Sequence, residues 1–244
     1  MAADDDAALQ RIKAAGVTVV ATTGRPFPGA LPWARRFGLE GPMICYQGAE
    51  IRMPSGEKLL DEGVQHDLAM EVVRYARERD LHIQAYRDDA LLVERDRPEA
   101  HEYADHAGMQ IHLVPDLDHA MGPTTPKLVI IADADLLERM LPEVRERWRG
   151  RLNAATSVPR YLEFTGIDSD KSHALRFLSA RLGVPQGEVA AAGDGRNDAS
   201  MLAWAGLGVA VEGAPAEVIE AARNVTMPPP GHGGIARLAD LLLK

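Results

Sequence analysis

The chain has 244 residues, 26% of them charged and 46% hydrophobic, with a net charge of −9. That is the balance of a folded globular protein and not of a disordered one, and it lacks the basic footprint of a nucleic-acid binder. No run of eighteen apolar residues is present to cross a membrane, the acidic start (Met1 to Asp6) is unlike a signal peptide, and a lone cysteine, Cys45, excludes a disulfide framework, so the cytoplasm is the expected compartment.

Residues 7–15 read as a helix, with Ala8, Leu9, Ile12 and Ala15 gathered toward one face and Asp4, Asp5 and Asp6 as its caps. Gly16 ends it, and the β-branched run 17–21 reads as a buried strand stopped by Thr22-Thr23-Gly24-Arg25-Pro26. Residues 29–38 follow as a helix and 42–46 as the next strand. A second rhythm starts near Glu57. It has helices at 67–79, 98–107 and 136–148 and strands at 81–86, 90–93, 111–114, 127–132, 151–155 and 160–164. This mixture predicts an α+β sheet with helices on one face. From Ser169 the first rhythm returns: helix 171–182, apolar strand 188–193, helix 197–205, strand 207–211, helix 215–222 and a last helix at 235–243.

The architecture expected from this order is an α/β core formed by residues 1–56 and 166–244, with residues 57–165 inserted as a second domain. Such insertion is physically easy, because closing a longer loop adds little entropy cost.

Three patterns carry chemistry. Gly193-Asp194-Gly195-Arg196-Asn197-Asp198 follows an apolar strand and opens a helix, the place where open α/β sheets put ligands. Its hard oxygen donors suit Mg²⁺, although the same residues would serve as an acidic helix cap. Thr22-Thr23-Gly24-Arg25 ends the first strand. Its hydroxyl and backbone N–H groups can hold a phosphate oxygen and Arg25 can add a bidentate contact, or the segment is an ordinary Thr/Gly turn. The third is Lys171, one of only five lysines among 27 basic residues. It begins a helix, against the helix dipole, where it either neutralises a phosphate or is simply solvated.

The order strand-TTGR, lysine at a helix start, strand-GDGRND resembles the haloacid dehalogenase superfamily of phosphohydrolases, in its Cof-type branch. Gln47-Gly48-Ala49-Glu50-Ile51 resembles a segment that usually reads Asn-Gly-Ala, Ile167 to Ser172 the third motif, and GDGRNDASML the fourth, so the likeness covers nearly the whole chain. The resemblance implies a Rossmann-like parallel-sheet core with an inserted α+β cap, and Mg²⁺-dependent hydrolysis of small phosphorylated metabolites, sugar phosphates foremost, through an aspartyl-phosphate. It implies that Thr23, Gly24 and Arg25 bind phosphate with Lys171 and Asn197, that Asp194 and Asp198 serve the metal, and that Lys171 and Asp198 act in catalysis. A sugar phosphomutase and a non-catalytic phosphometabolite-binding protein are the alternatives.

One part of the pattern is not in these residues. The family's first motif is an apolar strand followed by Asp-x-Asp-Gly-Thr, which supplies the nucleophile and the general acid/base, and no such stretch occurs. Asp4 to Asp6 have no strand before them and no Gly-Thr after them. The expectation is an incomplete sequence, or a variant whose sheet is rearranged or completed by another chain, and in either case little or no turnover by residues 1–244 alone.

Overall fold

The computed structural model describes residues 3–243. In chain order, the first part comprises α1 (Ala3–Ala14), β1 (Ala21–Thr22), α2 (Phe27–Arg36) and β2 (Met43–Cys45). The middle part runs β3 (Glu50–Arg52), β4 (Lys58–Asp61), β5 (Val64–Gln65), α3 (His66–Arg77), β6 (His82–Arg87), β7 (Ala90–Val93), α4 (Pro98–Ala107), β8 (Ile111–Leu113), α5 (Leu117–Ala120), β9 (Thr124–Thr125), β10 (Leu128–Ile131), α6 (Ala134–Arg147), β11 (Leu152–Val158) and β12 (Tyr161–Gly166). The last part is α7 (Lys171–Leu182), β13 (Ala190–Gly193), α8 (Ala199–Trp204), β14 (Leu207–Val211), α9 (Ala216–Ala221), β15 (Thr226–Met227) and α10 (Gly234–Leu242).

The chain separates into two compact units. One holds the residues up to Thr22, Ala34–Ile44 and those from Asp170 onward; the other holds Thr23–Trp33 and Cys45–Ser169. In the first unit β1 pairs with β2, and β13 with β14 and β14 with β15, all in parallel. Helices separate consecutive strands, as parallel pairing requires. Residues 17–20, expected to belong to the first strand, join no ladder, which leaves β1 only two residues long.

The second unit is built on a six-stranded sheet of order β11-β12-β10-β6-β7-β8, antiparallel except for β7 with β8. Period-two alternation sorts its residues. Ile83, Ala85, Leu128, Ile130, Leu162 and Phe164 face a single apolar core shared with α3 and α6. The other face carries Gln84 and Tyr86, and Tyr86 reaches the Tyr103 hydroxyl on α4 at 2.7 Å. The same face also carries the buried apolar Leu91, Val93, Val129 and Ile131, so helices lie on both faces, where one was expected, because both faces have apolar area to bury. Trp148 is fully buried in the core, whereas Trp33 is 49% exposed.

The aspartates near the start do not cap their own helix. Helix α1 begins at Ala3, before them, and Asp5 is fully buried against α10. Its carboxylate accepts from the backbone N–H of Gly231 at 2.5 Å, Ile235 at 2.9 Å and Ala236 at 3.3 Å. Asp5 thus caps a helix more than two hundred residues away and ties α1 to it. Burial works to raise its pKa, but these backbone donors prevail and hold it below the usual carboxylate value. An Asp5→Ala variant leaves the donors orphaned and is expected to lose about 1–3 kcal/mol at pH 7. With its folded-state pKa depressed, the wild-type carboxylate stabilises above the unfolded value of about 3.9, and that contribution fades as pH falls through the folded value. Urea unfolding at pH 7 and pH 3 should show the gap between wild type and variant narrowing in acid; a constant gap refutes the capping role.

Candidate functional site

Strand β13 ends at Gly193, and the chain passes through a 3₁₀ turn at Arg196–Asp198 into α8. The turn aims Asp198 back at the strand end. Asp198 and Lys171 are both buried, and Lys171 Nζ donates to Asp198 Oδ1 at 2.5 Å. Asp198 Oδ2 accepts from the backbone N–H of Asp194 at 3.0 Å and of Gly195 at 2.9 Å. A buried carboxylate is tolerable only when balanced in this way. The glycines make the approach possible. A Cβ on Gly193 would lie 2.5–2.6 Å from the Asp198 side chain, and one on Gly195 would lie 2.3 Å from Asn197 Oδ1.

Lys171 is the first residue of α7. Asp170 caps that helix, accepting from Ser172 N at 2.6 Å and His173 N at 2.9 Å. An ammonium at a helix start opposes the dipole, and the Asp198 carboxylate offsets that cost. Lys171 and Asp198, far apart in the chain, are thus brought into contact. Asp194 and Asn197 stand beside them with exposed side chains.

In the second unit the Thr23-Gly24-Arg25 loop is fastened from several sides. Arg25 N donates to Thr23 Oγ1 at 3.0 Å, closing a hydroxyl-bonded turn. Tyr46 and Gln47, both in the left-handed region (φ 51° and 62°), turn their backbone onto the loop. Tyr46 N donates to Arg25 O at 3.0 Å and Gln47 N to Thr23 O at 3.2 Å. The Gln47 side chain packs so closely on Gly24 that a Cβ there would lie 2.3 Å from its amide nitrogen. Arg25 donates through Nη1 to the His106 carbonyl in the last turn of α4 at 2.9 Å. Cations suit helix C-termini, so this contact is a favourable anchor for the guanidinium.

Sequence reasoning missed Lys127. It is 1% exposed, and its Nζ donates to Glu163 Oε1 at 2.9 Å and to the Gly24 carbonyl at 3.5 Å. Burial disfavours the ammonium, but the Glu163 carboxylate and the Tyr103 hydroxyl outweigh it and hold the pKa above the ordinary lysine range. The scarcity of lysines was the one signal that could have flagged it. Arg87-Asp88-Asp89 forms the turn between β6 and β7, with Asp88 and Asp89 at φ 49° and 64°. Cys45 is buried in β2, and desolvation pushes its thiol up to about 12, so it is inert at neutral pH.

The donors fit Mg²⁺ unevenly. Magnesium takes one or two carboxylates and completes its octahedron with water and substrate phosphate. The Asp194 carboxylate is exposed at the strand end and fits that role. Asp198 is more committed, because Lys171 and two backbone N–H groups already bond its oxygens, which leaves Asp194 the more accessible carboxylate. Among the described residues no three His, Cys, Asp or Glu side chains cluster as a metal cage.

The strand-end geometry now has a family to stand in. The haloacid dehalogenase-like hydrolase family matches residues 3–238. The chain belongs to that family. Its Cof-type resemblance holds over the whole fold: a haloacid dehalogenase-like hydrolase from Bacteroides thetaiotaomicron superposes with a TM-score of 0.87 at 27% identity, covering 99% of this chain and 92% of that one. The Bacillus subtilis (strain 168) protein named "Putative phosphatase YxeH" is 28% identical over 242 residues, 97% of this chain and 90% of its own. The HMP-PP phosphatase of Cronobacter sakazakii is 28% identical over 205 residues, 83% of this chain and 74% of its own. A haloacid dehalogenase-like enzyme of phosphoric monoester hydrolysis is the class this chain shares with them. Among the described residues no helix is long and apolar enough to cross a membrane.

Proposed function

We propose that this haloacid dehalogenase-like protein is a Mg²⁺-dependent phosphatase of small phosphorylated metabolites, sugar phosphates foremost. The observation that carries the reading is the buried Lys171–Asp198 pair, held at the end of β13 by two backbone N–H groups and two glycines with no room for a side chain. Such an arrangement holds an ammonium in fixed position where negative charge on a phosphoryl group can be neutralised. Phosphoryl transfer depends on positioning and charge neutralisation above all, and Lys171 supplies the second. Asp198 keeps Lys171 aimed. Asp194 is the residue offered to Mg²⁺, which when bound would draw charge from the phosphate oxygens. Thr23 and Gly24 keep the assignment that the resemblance implies, contact with phosphoryl oxygens, and Asn197 keeps the same. Arg25 steadies the loop through α4.

Residues 1–244 contain no Asp-x-Asp-Gly-Thr, so on this reading they bind a phosphate ester without turning it over. The test compares this chain with one extended at its start by an apolar strand and that motif, on p-nitrophenyl phosphate and a panel of sugar phosphates, with and without Mg²⁺. Turnover is expected from the extended chain with Mg²⁺ and not from residues 1–244. No turnover of any ester by the extended chain refutes the reading.

A further inference from the structure

The two outer strands of the six-stranded sheet are finished differently. At one end β11 is blunted: Arg145 Nε donates to the Ala154 carbonyl at 3.1 Å, and the register on β12 shifts between Thr156 and Val158. At the other end β8 pairs with β7 alone. Its ladder fixes which way each backbone group points. Leu91 N donates to the Gln110 carbonyl at 3.0 Å and Val114 N to the Val93 carbonyl at 2.9 Å, with Leu91 beside Ile111 and Val93 beside Leu113. Alternate residues of a strand bond one neighbour, so Gln110, His112 and Val114 turn their backbone groups to β7. Ile111 and Leu113 turn theirs away from the sheet, and among the described residues nothing bonds them. The side chains do not shield this edge. Leu113 is 61% exposed, the most exposed large apolar side chain among the described residues. Residues 108–115 (Gly-Met-Gln-Ile-His-Leu-Val-Pro) hold no Asp, Glu, Lys or Arg, in a chain of which 26% is charged. Edge strands are ordinarily guarded by such charges or by bulges.

The unguarded edge is complementary to itself. A two-fold axis at His112 sets a second β8 antiparallel to the first, with Ile111 opposite Leu113 of the partner subunit. Each of these residues then donates to the other and accepts from it, and the axis repeats the exchange, so every outward backbone group of Ile111 and Leu113 is bonded without a slip in register. His112 falls opposite the partner's His112, in a pair that shares no hydrogen bond and so brings its side chains closest. Ile111 and Leu113 lie on one face of the sheet, so the apolar side chains of both copies meet there. Pro115, the next outward position, has no N–H and ends the run. A loose peptide would have to be ordered for so short a pairing, whereas a second copy offers a strand already extended.

We propose that β8 is a self-association edge: two copies of this chain pair through it in antiparallel fashion, centred on His112, and join their six-stranded sheets into one. The blunted edge at β11 closes the assembly at two copies. The inference is independent of the phosphatase reading, because it concerns sheet pairing and not phosphate chemistry.

The test follows the 244-residue chain by sedimentation over a wide range of concentration, together with amide hydrogen exchange. A monomer–dimer equilibrium with no larger species is expected. Where the dimer dominates, exchange should slow about tenfold at Ile111 and Leu113 and stay unchanged at His112 and Val114, whose amides already bond β7. His112→Lys and His112→Glu should each weaken the dimer several-fold, because like charges then stand opposite one another, and an equimolar mixture of the two should dimerise again. Ile111→Pro removes a donor that β7 does not use, so dimerisation should be lost while the thermal midpoint is kept. A chain that sediments as a monomer at every concentration overturns the proposal. So does a dimer whose Ile111 and Leu113 amides stay unprotected, or a mixture of the His112→Lys and His112→Glu variants no more associated than either alone.

Discussion

Replacing Lys127 with methionine should destabilise the second unit by about 3–5 kcal/mol, the range for removing one partner of a buried ion pair. The Glu163 carboxylate, 8% exposed, would remain among Tyr86, Tyr103 and the sheet without the ammonium 2.9 Å away. The loss arises from the stranded charge more than from the missing attraction. Replacing both partners, Lys127→Met with Glu163→Leu, should therefore recover most of it. Because the folded-state pKa of Lys127 is raised, the pair's contribution is fully present below the unfolded value of about 10.4 and is lost only as pH rises through the folded value. Urea unfolding followed by Trp148 fluorescence, with Trp33 and Trp204 replaced by phenylalanine, reads the effect in the right core. A single variant that loses under 1 kcal/mol would show that the pair is not balanced in the way its burial requires. The same variant releases the Gly24 carbonyl, so faster amide exchange at residues 23–25 is expected with it.

The second large effect falls on Lys171. In a chain carrying the Asp-x-Asp-Gly-Thr segment, Lys171→Met should lower kcat about 10²–10³-fold, the loss seen when a single fixed electrostatic contact to the developing charge is removed. KM should change far less, because the ammonium acts most strongly where charge accumulates. Asp198→Asn should act in the same direction through Lys171, which would keep its charge but lose the carboxylate that aims it at 2.5 Å. Steady-state kinetics on p-nitrophenyl phosphate measures both. A Lys171→Met enzyme within threefold of the parent would exclude this lysine from the reaction, whatever its burial.

Much of this arrangement was legible in the residues themselves. The helix of Lys171 starts where Asp170 can cap it, and the strand before Gly193 is a plain apolar run. Both follow local rules that hold wherever the chain goes. The hairpin at Arg87 to Asp89 was equally readable, since aspartates tolerate the left-handed backbone that its turn needs. The partners of charged side chains were not readable. Arg25 looks free for phosphate in sequence and is bound to the end of α4, 81 positions away. Asp5 looks like a cap for its own helix and caps α10. Lys127 sits in a run that reads only as a strand. These residues share one physical feature: their charge is satisfied by a backbone group or side chain distant in the chain, and no local pattern encodes that.

By itself the sequence determined the alternation of strands and helices, the glycines and aspartates that close the turn after β13, and the family to which the chain belongs. Those depend on side-chain period, backbone freedom and short spacings, which are local properties. Only the tertiary structure decided that Asp198 pairs with Lys171 and two backbone N–H groups, that helices lie on both faces of the six-stranded sheet, and that Lys127 is buried against Glu163. Burial and pairing are properties of the folded whole. A carboxylate 5% exposed must find its counter-charge, and a strand edge must find its neighbour, wherever folding has put them.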